Sequence, residues 1–301
     1  MKSNSLRLWV IGLLRNGMHH TLVLAAALKL GRGFARWQMA RQVFSACRTE
    51  EWPGLLFVSF LTLVDSMHLS YLHNLLPSQV WVRLQGRKFL IGVGRTELGG
   101  FLEVWVNREY EQHQLFQPSS GWTVVDVGAN VGFFTIRHAL KGARVIAVEP
   151  NAEARARLAA SVAVNGLFDR VIILPCALGE FSGTGWLTTE SSTSTTMGSV
   201  STSPKMAARP VDVRMLDDVL AELEVDNVDL LKMDAEGAEA AILSGGRASL
   251  PIVKRVVLEY HSPRLIQIVR ESLHSSGFTE VLADENHAYF ARSALLTMHG
   301  V

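Results

Sequence analysis

From Gly121 onward, short apolar, β-branched runs alternate with stretches whose apolar positions recur at helical spacing. The runs are TVVDV, RVIAVEP, RVIILPCAL, VDLLKMD and KRVVLEYH. Each reads as a strand followed by a helix-compatible segment. Repeated strand–helix units predict a parallel sheet covered by helices, an α/β fold. Helices are predicted over about 132–140, 152–165, 236–244 and 263–276, with Gly166, Gly245 and Gly277 as their C-terminal stops. The last pieces, FTEVLAD and HAYFARS, read as a closing antiparallel hairpin.

Upstream the pattern differs. Between Val80 and Tyr110 the pieces VWVRL, KFLIGVG and FLEVWV are strand-like and broken by glycines, which predicts a small β preamble. Residues 52–82 carry one formal charge, Asp65, and Leu61, Val64, Leu69, Leu72 and Leu76 recur at roughly helical spacing. A buried helix or a homodimer face is the expectation there. The chain therefore divides into an N-terminal basic and helical region (1–79), the preamble (80–118) and an α/β domain (119–301). Residues 188–203 have another texture, with 12 of 16 positions Ser or Thr, and read as a surface loop with the composition of an active-site lid.

Charge separates the halves further. Residues 1–118 hold 13 Lys/Arg against 7 Asp/Glu, whereas residues 119–301 hold 16 against 21. The first 49 residues contain eight basic side chains and no acid, which fits a solvated cap, a targeting segment or a helix resting on an anionic membrane surface. No apolar run reaches the roughly 20 residues that span a bilayer. A cytoplasmic protein, at most peripheral to the inner face of a membrane, is expected. The two cysteines, Cys47 and Cys176, form neither a disulfide framework nor a zinc pattern, so no metal is expected.

The chemistry lies after the first strand of the α/β domain. TVVDV carries Asp126 near its end and runs into Gly128, Ala129, Asn130, Val131 and Gly132 before the next helix; Glu149 ends the following strand 21 residues after Gly128. Glycines permit a tight turn and close ligand approach, and an acid on the second strand accepts hydrogen bonds from two ribose hydroxyls, so a nucleoside ligand follows. Asn130 stands where a dinucleotide fingerprint has its second glycine and Phe133 where it has its third. A pyrophosphate would lose its closest backbone approach. Asp126, expected to face the turn, favours a ligand with an ammonium and a sulfonium, S-adenosylmethionine. Further on, VDLLKMDAEGAE places Lys232 and Asp234 at a strand end and Glu236, Gly237 and Glu239 at a helix start. A place at the ligand crevice is expected for these acids, with mutual pairing of Lys232 and Asp234 as the structural alternative.

Together VVDVGANVGFFT, AVEPN, LKMDAEGAE and LEYH, in this order and spacing, resemble the FkbM family of S-adenosylmethionine-dependent methyltransferases from about Tyr110 onward. The resemblance implies a Rossmann-like class I methyltransferase sheet, mostly parallel and seven-stranded, with a terminal antiparallel hairpin. It implies that Asp126, Gly128, Asn130 and Gly132 line the methionine part, Glu149 holds the ribose, and Ala177 and Leu178 flank the adenine, with Pro150 and Asp234 also at the cofactor and Glu111 helping to close the site. It also implies O-methylation of a sugar, glycolipid or secondary-metabolite hydroxyl.

Methyl transfer from a sulfonium needs alignment more than activation, and a hydroxyl acceptor profits from a base within hydrogen-bond reach. Asp234 and His261, at the ends of the fourth and fifth strands, and the neighbouring Glu236 are the expected catalytic residues. His19, His20, His68 and His73 carry less functional weight. A nucleic acid is not the expected partner, because Asp-Ala-Glu-Gly replaces a proline-aromatic base-flipping motif and this half is acidic. The rivals are a methyltransferase for nucleic acid or protein, an NAD-dependent oxidoreductase, and a binding module that has kept the fold.

Overall fold

A computed structural model describes residues 41–58, 77–92, 97–189, 198–201 and 208–299. Most of the basic N-terminal stretch, and residues 59–76 of the charge-poor one, lie outside these. Two compact units divide at Leu102/Glu103.

In the first unit, β1 (Gln79–Leu84) and β2 (Arg87–Gly92) form an antiparallel hairpin where a small β preamble is expected. Its turn, Gln85-Gly86, is tied down by Glu51, whose carboxylate accepts both backbone N–H groups. FLEVWV is a correction: Phe101 ends a short helix, Glu97–Phe101, and Leu102–Asn107 form a wide π-type helical turn. Phe101, Leu102, Val104 and Trp105 are buried and Glu103 is exposed, the i, i+1, i+3, i+4 face of a helix. In so short an apolar run the two periods cannot be told apart.

The second unit is built on a seven-stranded sheet. Its strands are β3 (Thr123–Val127), β4 (Arg144–Val148), β5 (Val171–Leu174), β10 (Leu230–Met233), β11 (Arg255–Glu259), β12 (Phe278–Ala283) and β13 (His287–Arg292). The order is β12-β13-β11-β10-β3-β4-β5. The five central and edge strands from β11 to β5 are parallel, and β13 inserts antiparallel between β11 and β12. Strands covered on both faces read as continuous apolar runs, as these do.

One face buries Val125, Val127, Ile146, Val148, Leu231, Met233, Val256 and Leu258 against α3 (Leu216–Glu222), α4 (Glu239–Ser244) and α5 (Pro263–Ser275). Helix α5 contributes Ile266, Val269 and Leu273 at spacings of three and four, each burial worth about 1.5–3 kcal/mol. The alternate residues, Val124, Asp126, Lys232 and Val257, face the other side, where α1 (Phe133–Leu140) packs and α2 (Ala152–Val164) supplies Leu158.

Two further expectations change. RVIILPCAL is not one strand. Pro175 has no N–H to give a ladder, so β5 stops at Leu174, and β6 (Ala177–Leu178) joins a second sheet. That sheet, β6-β9-β7-β8, contains β7 (Gly183–Thr189), β8 (Gly198–Ser201) and β9 (Arg209–Arg214). The Ser/Thr-rich stretch therefore supplies strand at both ends, with Gly185 and Leu187 buried at alternate positions of β7. Residues 190–197 and 202–207 lie outside the described ones. Helix α4 begins at Glu239, three residues late, because Glu236 and Gly237 take left-handed φ of +51° and +101°.

Candidate functional site

Beyond Val127 the chain turns sharply. Gly128, Asn130 and Gly132 have φ of +75°, +50° and +91°, and the N–H groups of Gly128 and Ala129 both reach the Val148 carbonyl at 3.1 Å. Gly128 admits no side chain, since a Cβ there would collide with the Asp234 carbonyl. Glu149 stands just past β4 with only 5% of its surface exposed. Its Oε2 accepts the Asn130 N–H at 2.8 Å and its Oε1 the Asn151 N–H at 2.7 Å. Burial raises this carboxyl to about 7, against the two N–H groups that hold it down.

A cleft opens over these strand ends, enclosing about 670 Å³ of space open in part to solvent. Gly128, Asn130, Glu149 and Pro150 line one part of it, Ala177, Leu178 and Leu187 from the second sheet another, and Asp234, Ala235 and Glu236 a third. The Asn130 side-chain oxygen is buried with no hydrogen-bond partner among the described residues. Each Glu149 oxygen holds one N–H and can accept another donor.

Asp126 does not face the cleft. It is fully buried, with Oδ2 accepting the Thr135 hydroxyl at 2.6 Å and Oδ1 lying 3.2 Å from Lys232 Nζ. Its charge is spent inside the protein, so the expected attraction for a cationic ligand does not come from this residue. Burial pulls the Lys232 amine down, but the carboxylates of Asp126 and Asp234 outweigh it and hold the amine above its usual value. Lys232 also pairs with Asp234 at 3.5 Å, so its charge is shared between Asp126 and Asp234.

At the other end of the cleft the acids gather. Met233 pairs with Leu258 in the sheet, so Asp234 and Glu259 follow side by side. The buried Tyr110 hydroxyl reaches Asp234 Oδ2 at 3.3 Å and Glu259 Oε2 at 3.1 Å. Burial, then Asp234 and Glu259, lift this phenol well above its usual range, so it keeps its proton. His261 stands between carboxylates, Nε2 3.3 Å from Glu236 Oε2 and Nδ1 3.8 Å from Glu259 Oε1. Burial and then Asp234 push Glu236 up to about 7, and the same two causes raise Glu259. Below the loop, Glu239 accepts the N–H groups of Ala235 at 2.9 Å and Gly237 at 3.3 Å, which fixes the path of Asp234–Gly237.

Of the residues singled out by sequence, Gly128, Asn130, Glu149, Pro150, Ala177, Leu178, Asp234 and Glu236 line the cleft, and His261 adjoins Glu236. Gly132 sits behind it, capping α1 against Leu158. Glu111 is in a buried ion pair with Arg137, with Arg137 Nη2 at 2.7 Å, and is not a lining residue. Sequence reasoning passed over Asn151, Leu187, Tyr110 and Glu259. Glu259 had a legible signal, an acid ending an apolar strand two residues before His261. Tyr110 had none, since its partners lie 124 and 149 residues away.

A glycine turn after the first sheet strand, a buried acid after the second and a seven-stranded sheet closed by an antiparallel hairpin define a class I methyltransferase domain. Residues 126–280 match the methyltransferase FkbM domain, and the chain belongs to that family. Among characterised relatives it is 27% identical over 203 residues to the AMB antimetabolite synthetase AmbE of Pseudomonas aeruginosa, which covers 54% of this chain and 9% of that protein. It is 28% identical over 211 residues to the methyltransferase sdnD of Sordaria araneosa, covering 59% of this chain and 80% of that one. It is 33% identical over 57 residues to the 2-O-methyltransferase NoeI of Sinorhizobium fredii, covering 19% of this chain and 24% of that protein. The chain thus spans less than a tenth of the first relative and about a quarter of the third.

Proposed function

We propose that the chain transfers the methyl group of S-adenosylmethionine to a hydroxyl of a small molecule, a sugar, glycolipid or secondary metabolite. The observation that carries this reading is a single cleft lined both by Asn130 and Glu149 and by Asp234 and Glu236. The free acceptor capacity of Glu149 suits ribose hydroxyls, and the unpartnered Asn130 oxygen suits an ammonium group. Ala177, Leu178 and Leu187 offer apolar contact to a base. The 2-O-methyltransferase among the relatives supports oxygen as the acceptor atom.

When bound, S-adenosylmethionine supplies an electrophilic methyl carbon on a sulfonium that leaves as a neutral thioether. The chain's own part is alignment and proton removal. Asp234 is held by Lys232 and Tyr110, whereas Glu236 lines the cleft with His261 as its neighbour. Glu236 is therefore the group assigned to take the hydroxyl proton as the O–C bond forms and the C–S bond breaks. The acidic cluster disfavours a phosphate-bearing polymer as acceptor.

Calorimetric titration with S-adenosylmethionine and with NAD tests the first half of the reading: saturable binding of the methyl donor and none of NAD is expected. Mass spectrometry of a hydroxylated metabolite pool incubated with the protein and deuteromethyl donor tests the second. Binding of NAD in preference, or label on nitrogen alone, would overturn it.

A further inference from the structure

We infer that Asp234, Glu259 and His261 form a binding site for one divalent cation at the acceptor end of the cleft. The inference deepens the proposed transfer to a hydroxyl and rests on it only for the cation's role, not for its binding.

The first observation is geometric. One ligand atom from each of these three side chains lies within 4.8 Å of the others. Oxygen and nitrogen ligands held about 2.1–2.4 Å from one ion lie no more than roughly 4.8 Å apart, a limit these three atoms meet. The His261 Nδ1 to Glu259 Oε1 separation, 3.8 Å, is too long for a hydrogen bond and ordinary for two ligands of one ion.

The second is how neighbouring side chains hold the three ligands. The Tyr110 hydroxyl stands 3.3 Å from Asp234 Oδ2 and 3.1 Å from Glu259 Oε2, which holds the two carboxylates side by side. His261 completes the group. The ring stands between two carboxylates, Nε2 3.3 Å from Glu236 Oε2 and Nδ1 3.8 Å from Glu259 Oε1. Metal-bound histidines are held in this way, with the second ring nitrogen directed to a carboxylate.

The third is access. The side chains of Asp234, Glu259 and His261 are 28%, 23% and 44% exposed, so an ion could enter and keep open positions. Two carboxylates and one imidazole suit a borderline divalent ion of the Mn²⁺ kind. An acceptor hydroxyl taking an open position would be acidified by the ion, and its proton would pass to Glu236.

The experiment is titration of the chelator-treated 301-residue chain with Mn²⁺, free ion being read by electron paramagnetic resonance. One saturable site per chain is expected, displaced by excess Mg²⁺, with affinity falling at least tenfold in Glu259→Gln and in His261→Ala. Both variants should keep the circular dichroism spectrum and S-adenosylmethionine affinity of the parent. No saturable Mn²⁺ binding up to about 1 mM, or binding unchanged in both variants, would overturn the site. Mn²⁺ binding without S-adenosylmethionine binding would leave the site standing and sink the proposed function instead.

Discussion

Lys232 Nζ lies 3.2 Å from Asp126 Oδ1, and both side chains are at most 4% exposed. The two residues are direct partners on adjacent parallel strands, so the sheet register sets a cation against an anion beneath the glycine turn. The pair braces the site from below, with Lys232 also reaching the Val127 and Gly128 carbonyls at 3.3 and 3.1 Å.

Replacing one partner leaves the other charged and buried. Lys232→Met is expected to destabilise the protein by about 3–5 kcal/mol, and Asp126→Asn combined with it should recover part of that loss. Urea denaturation of the two variants checks this; equal losses in single and double variants would show that the pair is not the source.

Gly128 is the second point of intolerance. Alanine there would need a left-handed φ and would displace the Asp234 carbonyl. Gly128→Ala is expected to weaken S-adenosylmethionine binding by at least tenfold and to cost about 1–3 kcal/mol from backbone strain alone. Calorimetry and thermal unfolding on one preparation measure both effects.

Glu149 carries a pH signature. Its carboxyl sits at about 7 in the folded protein against 4.5 ordinarily, so between these values the folded state holds a proton that the unfolded chain has released. In the absence of ligand, this group's contribution to stability is complete below the ordinary value and is lost as pH rises toward 7. Ribose hydroxyls need the ionised form, so donor affinity should rise about tenfold per pH unit up to about 7 and level off above it. Titrations at about pH 6, 7 and 8 test this, with Glu149→Gln expected to bind weakly and without that slope.

Turnover and binding should separate at Glu236. Glu236→Gln is expected to lower kcat about 100-fold while leaving S-adenosylmethionine affinity within about twofold. Glu149→Ala should do the reverse and remove binding first. Steady-state kinetics beside calorimetry distinguishes them, and a Glu236→Gln variant with parental kcat would return the proton-accepting role to His261 or Asp234.

Much of this was legible in the chain itself. The apolar runs of β3, β4, β10 and β11, the closing hairpin, the glycine turn and the acid at Glu149 were readable because strand period, helix spacing and turn chemistry act over a few residues. FLEVWV was misread for the same reason, since a short apolar run satisfies both periods. What the tertiary structure alone decided are relations between distant residues. Strand order sets β10 beside β3 and so neutralises Asp126 with Lys232. It sets β11 beside β10 and brings Glu259 next to Asp234, under a tyrosine more than a hundred residues away in sequence. Glu111 was drawn to Arg137 instead of the cleft by the same rule: a buried charge takes the partner that packing places beside it, and sequence spacing does not record which partner that is.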